Sequence, residues 1–138
     1  MDDRKVRLRI VSVMTDPQGE RHETKHARLG ALREEHGSVV LTYEDEQDGE
    51  RAHVVLTASA DSAQMRRMGA MSGMLRFEPG VRTSSAYVTV YGEIPVSVFT
   101  RRVALETRTD GGNLHLDYDV YVGGEKTSSA EMVITWKA

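Results

Sequence analysis

Along most of the chain, apolar and polar residues alternate with a period of two, as in β-strands with one face buried. The pattern begins where Val6, Leu8 and Ile10 alternate with Lys5, Arg7 and Arg9. Asp16-Pro17-Gln18-Gly19 then carries turn chemistry, Pro17 fixing φ and Gly19 free to take positive φ, so a hairpin returns through His22 to Arg28. Between Ala27 and Glu35 the residues fit either a short amphipathic helix or a strand bent at Gly30, and the strand is the expectation adopted. Val39, Leu41 and Tyr43 form the next strand, Glu44 to Glu50 an acidic loop, and Ala52, Val54, Leu56 and Ala58 the return.

Beyond a turn at Ser59 to Ser62, short strands are expected at Gln64 to Met68 and at Met74 to Phe77, the latter ended by Pro79-Gly80. Ala86, Val88 and Val90 then read as one buried face, turning at Tyr91-Gly92-Glu93 into Ile94, Val96 and Val98. The buried phase next switches to Val103 and Leu105, which one extra residue near Thr100 to Arg102 explains as a β-bulge. Asp110-Gly111-Gly112-Asn113 reads as a hairpin turn into Leu114, Leu116, Tyr118, Val120 and Val122. Gly123-Gly124 leads to a last strand with Ala130, Met132, Ile134 and Trp136. About nine or ten short strands with hairpin-length connections predict an all-β protein. The expected architecture is one antiparallel up-and-down meander barrel, a single domain over 1–138, because closure removes open edges.

Composition narrows the function. The chain has 138 residues, enough for a core in one domain, and no Cys, which excludes disulfides, thiolate zinc sites and cysteine nucleophiles. A net charge of −3 and 6% aromatics argue against nucleic acid as a partner. The charged start, Met1 to Lys5, runs straight into alternating sequence, and no apolar run of membrane length follows. A cytoplasmic protein with no signal peptide and no membrane partner is expected.

Several pieces in register resemble one known family. They are Arg67-Met68-Gly69, Arg76-Phe77 with Gly80, Tyr91-Gly92-Glu93-Ile94, Tyr118-Asp119-Val120-Tyr121-Val122-Gly123 and Met132-Val133-Ile134-Thr135. In order and spacing the chain is similar to the YwiB-like proteins, uncharacterised bacterial β-barrels of the lipocalin-like (calycin-like) class. The resemblance runs from Val6 to about Thr135, with departures at Glu131 and in the Met-rich segment. It implies a meandering barrel and, by fold analogy, an interior cavity; it brings no reaction or catalytic residues.

Candidate chemistry is sparse. His22 and His26 lie four residues apart, about 13 Å along a strand, too far to share one metal ion. Met65, Met68, Met71 and Met74 have a spacing of three, which sends successive side chains to opposite faces of a strand. No metal site is predicted from either set. Lys5, Arg7 and Arg9 read as the wet face of the first strand, opposite acids such as Glu20, Glu23 or Glu131. His115, Asp117 and Asp119 share a face opposite apolar residues, the expected solvent side. Of Arg66-Arg67 and Arg101-Arg102, one member of each pair points inward unless a bulge puts both outside. No nucleophile elbow, Walker loop or dinucleotide fingerprint is present, so no catalytic residue and no cofactor is predicted.

Arg67 is in phase with Met65, while Tyr43 and Tyr118 are in phase with apolar neighbours. An inward arginine keeps its charge and requires water, a carboxylate or an anionic ligand. Two readings stay open for Arg67: a salt bridge closing one barrel end, or an anion clamp with Tyr43 and Tyr118 as donors. The function expected is binding of a small apolar or amphipathic molecule, anionic in the second case. The alternative is a filled barrel acting through its outer surface as a protein-interaction or structural module.

Overall fold

The computed structural model describes residues 3–47, 49–69 and 71–138. The expected start, Met1 to Lys5, and the expected acidic loop therefore lie partly outside the described residues, at Met1, Asp2 and Asp48. Among the described residues ten strands follow one another: β1 (Arg4–Thr15), β2 (Arg21–Glu35), β3 (Ser38–Gln47), β4 (Glu50–Ala58), β5 (Ala63–Gly69), β6 (Gly73–Phe77), β7 (Arg82–Thr89), β8 (Gly92–Arg108), β9 (Gly111–Val122) and β10 (Glu125–Lys137). All pair antiparallel in the order β6-β5-β4-β3-β2-β1-β10-β9-β8-β7, a meander closed between first and last strands. Among the described residues no helix is long and apolar enough to cross a membrane.

β6 and β7, the ends of this order, meet without a continuous ladder. Ser72 and Val88 exchange backbone hydrogen bonds of 3.0 and 2.8 Å, and Thr83 Oγ1 donates to the Arg76 carbonyl at 2.7 Å. Gly73 makes this seam possible: a Cβ there would lie 2.0 Å from the Tyr87 ring. The barrel is thus nearly closed, its last joint one isolated bridge and side-chain contacts in place of a continuous ladder.

Period-two phase places the core as expected. Val6, Leu8, Ile10, Leu41, Tyr43, Val54, Leu56, Val98, Leu114, Leu116, Tyr118, Ile134 and Trp136 are all buried in one contiguous cluster with Phe77. Residues Ala27 to Glu35 form strand, not helix. The β8 bulge falls between Thr100 and Arg102, so both Arg101 and Arg102 lie outside while Val103 and Leu105 turn back toward the core.

Four expectations need correction. Ala86, Val88 and Val90 face outward, Val88 being 51% exposed; the inward positions of β7 are Thr83, Ser85 and Tyr87. The acidic loop is shorter than expected, because β3 continues through Glu44, Asp45 and Glu46. The β8–β9 turn is only Thr109 and Asp110, and Gly111 and Gly112 already belong to β9. Gly112 is there for space: a Cβ would approach the Trp136 ring to 2.5 Å. Finally, Lys5, Arg7 and Arg9 do not face Glu20, Glu23 or Glu131. Their partners across β2 are Ala31, Leu29 and Ala27, while Glu23 and Glu131 both flank Val13.

Candidate functional site

Two places on the barrel carry chemistry: an ion cluster at one end and a trough on the outer face. The end cluster grows from strand phase. Asp45 continues the inward series Val39, Leu41, Tyr43 on β3, and Arg67 continues Ala63 and Met65 on β5. Arg28 on β2 lies just past the last β2–β3 rung, Gly30 with Tyr43. Asp45 Oδ2 accepts from Arg67 Nη1 and Oδ1 from Arg28 Nη2, each at 3.0 Å. Burial works to raise the Asp45 carboxyl, but the two guanidiniums outweigh it and hold the group below its ordinary value.

Tyrosines surround this cluster. Burial, reinforced by the Asp45 charge, pushes Tyr43 up to about 12, with Arg67 and Arg28 pulling the other way. Burial raises Tyr87 as well, again opposed by Arg67. Tyr118 is pushed up to about 12 by burial and by the neighbouring Tyr87, and its ring meets Phe77 edge-on with centroids 4.8 Å apart. The ladder sets Tyr43 and Arg67 on the two sides of Val54, whereas Tyr118 of β9 packs against Phe77. The acid and the second arginine escaped sequence reasoning, although Asp45 sits two residues past Tyr43 in the same alternation. Outside this cluster a cleft of about 680 Å³ is lined by Arg28, Asp45 and Arg51 with Glu44 and Glu46, so carboxylates outnumber guanidiniums along it.

The trough lies on the outer face where β2 begins to part from β3. Ala31 and Leu29 with Thr42 form its floor, Lys5 and Arg7 of β1 one wall, and the Glu44–His53 pair, 2.6 Å apart, the other. Its volume is about 650 Å³. Leu29 stands 80% exposed beside Arg7, its partner across the ladder.

The remaining candidates disperse. Met65 packs against the core, whereas Met68 and Met71 are exposed. His22 reaches Asp16 at 3.6 Å beside Glu20 in the exposed β1–β2 turn, but His26 is not part of that group. The Asp16 carboxylate is already committed to the turn, accepting from the backbone N–H of Glu20 and Gln18 at 2.9 and 3.0 Å. Asp117 and Asp119 do lie outside, where both accept from Arg101, the bulge residue. Asp119 is nevertheless buried. Ser129 Oγ donates to it at 2.8 Å, and the bonds from Arg101 and Ser129 overcome burial to keep it ionised. A carboxylate held this way pins the bulge and is poorly suited to proton transfer.

Fold and site together define an antiparallel meander barrel with a buried apolar core and an ion-paired end. The family described as "Domain of unknown function (DUF1934)" matches residues 8–134, and the chain belongs to that family. One relative is the "Uncharacterized beta-barrel protein YwiB" of Bacillus subtilis (strain 168), 24% identical over 132 residues, covering 96% of this chain and 92% of that protein. The crystal structure of the ywiB protein from Bacillus subtilis superposes with a TM-score of 0.90 at 23% identity, covering 99% of this chain and 92% of that one.

Proposed function

We infer that the protein is a binding module that acts through its outer face, its barrel being filled by its own side chains. One observation carries this reading. Val54, Leu56, Phe77, Leu114, Leu116 and Ile134 have no solvent-accessible surface at all. A cavity wide enough for water would leave accessible surface on the residues that line it, and an interior lumen for a ligand would be wider still. Titration with N-phenyl-1-naphthylamine, a neutral apolar fluorophore, tests the reading. The wild type is expected to give no saturable binding, whereas saturable binding that shifts the methyl resonances of Leu56 and Leu114 would overturn it.

A second reading keeps Arg67, Tyr43 and Tyr118 as the ligand-binding set for the anionic head of a small amphipathic molecule at the barrel end. It is favoured by the ion cluster itself: Arg67 already holds one carboxylate, Asp45, at 3.0 Å, and the buried Tyr43 feels both charges. A ligand carboxylate there competes with Asp45 for Arg67. Charge-assisted hydrogen bonds are worth roughly 1.5–3 kcal/mol each, so Arg67→Ala should weaken fatty-acid binding at least about tenfold. Equal binding by both proteins, or none by either, would remove this reading.

A further inference from the structure

We propose that the outer face of β1 and β2 around Leu29 docks an extended acidic segment of a partner protein, one that carries an apolar side chain. The inference rests on the outer-face reading above and names its partner.

Charge is the first argument. Lys5, Arg7 and Arg9 project from β1, and Lys137 of β10 pairs with Arg7 across the ladder. Among the described residues none of these four has a carboxylate within ion-pair distance; Arg21, Arg66, Arg76, Arg82 and Arg102 have none either, but here the ladder sets Arg7 beside Lys137 and between Lys5 and Arg9 on one strand face. The β1–β2 register accounts for this, because it sets Ala31, Leu29 and Ala27 where acids would neutralise the stripe. A chain with a net charge of −3 thus keeps an uncompensated basic strip on one face. Opposite charge on a partner is the chemistry that strip selects, and it would speed encounter as well.

Shape is the second argument. Leu29, largely exposed next to Arg7, adjoins the trough of about 650 Å³ over Ala31 and Thr42. An apolar side chain seated there would cover Leu29 and exclude water, while Lys5 and Arg7 on the β1 wall meet carboxylates and Glu44 on the far wall is occupied by His53 at 2.6 Å; a buried apolar centre with a charged rim is the usual anatomy of an interface. The period also fits. Alternate residues on β1 are about 6.6–7 Å apart, the same repeat as alternate side chains on an extended peptide. A segment with acids at every second position can therefore meet Lys5, Arg7 and Arg9 in register. The face does not suit a second copy of this chain, since two such strips would oppose like charges.

The test uses the full chain and a short synthetic peptide with glutamate at alternate positions and one central leucine, followed by fluorescence anisotropy. Its controls are a peptide with lysine in place of glutamate, a peptide with serine in place of leucine, and a single-stranded oligonucleotide. Saturable binding of the glutamate–leucine peptide is expected. It should weaken about tenfold or more in Arg7→Glu and in Leu29→Glu, fall as salt rises, and be lost with the lysine control. Arg7→Gln and Arg9→Gln, neutral changes at exposed sites, guard against misfolding and should weaken it in the same direction. No binding by the wild type, binding by Arg7→Glu equal to that of the wild type, or tighter binding of the oligonucleotide would each overturn the proposal. If the peptide fails while the apolar fluorophore still finds no interior site, the docking assignment falls and the outer-face reading stands. Entry of the fluorophore defeats the outer-face reading on its own.

Discussion

The base of the barrel and its opposite end are built by the same strands with the same alternation, yet they fill their interiors differently. At the base, Trp136, Phe77, Leu56 and Leu114 occupy the space with apolar side chains that leave no accessible surface or almost none. At the other end the inward positions become Arg28, Asp45 and Arg67, with Tyr43 and Tyr87 beside them. The difference follows from pairing. At the base β2 is held to β3 by rungs from Glu35 with Ser38 to Gly30 with Tyr43, whereas Arg21 to Leu29 of β2 pair with β1 only. Where the wall parts, water reaches the inward side chains, and charged groups can occupy those positions at modest cost if they neutralise one another. An ion cluster at a split wall is therefore what packing physics permits there without any ligand.

The largest loss of stability is expected at the base. Phe77→Ala removes a ring in contact with Tyr118 and should cost about 3–5 kcal/mol in urea denaturation. A loss below about 1 kcal/mol would mean that the base is loosely packed. At the split end, Asp45→Ala leaves two guanidiniums without their carboxylate. Because Arg28 and Arg67 keep 23% and 24% of their side-chain surface exposed, the cost should be smaller, about 1–3 kcal/mol. Arg67→Ala should cost less than Asp45→Ala, since Arg28 still holds Asp45; the reverse order would show that Arg67 has a role outside the pair.

Acid unfolding sharpens the same contrast. Asp45 and Asp119 are both held below the ordinary carboxylate value of 3.8, so the unfolded chain binds protons to them before the folded chain does. Their contribution is complete above that value and is lost as the pH falls through the lower folded values. Urea midpoints should therefore stay level on the neutral side and decline below about pH 4, less steeply in Asp45→Asn with Asp119→Asn. The smallest effect is expected on the outer face. Arg7→Glu and Leu29→Glu remove no internal contact and should change stability by no more than about 0.5 kcal/mol.

Most of the fold was legible because alternation and turn chemistry are local. Even the β8 bulge shows in sequence, as the shift from Val96 and Val98 to Val103 and Leu105. The strand β7 misled for a physical reason. It is an end of the strand order, joined to β6 by few bonds, so its outer side tolerates Ala86 and Val88 while Thr83, Ser85 and Tyr87 take the inside. Asp45 was hidden by its neighbours: Glu44, Asp45 and Glu46 read together as an acidic loop, although the alternation from Val39 and Leu41 passes through Asp45. The company of the basic strip could have been read from the Asp16 turn, which sets Arg7 opposite Leu29. The trough could not, because it needs β3 and β4 beside β2, a matter of pairing that no local pattern records.

Native mass spectrometry of the protein purified from its own host separates a barrel filled by its own side chains and working from outside from one that carries a ligand. A filled barrel gives the bare mass of the chain, unchanged by gentle or harsh desolvation, with no small apolar molecule carried along. A stoichiometric small molecule retained under gentle conditions, released on unfolding and absent from an Arg67→Ala preparation, would contradict it and return the site to the interior.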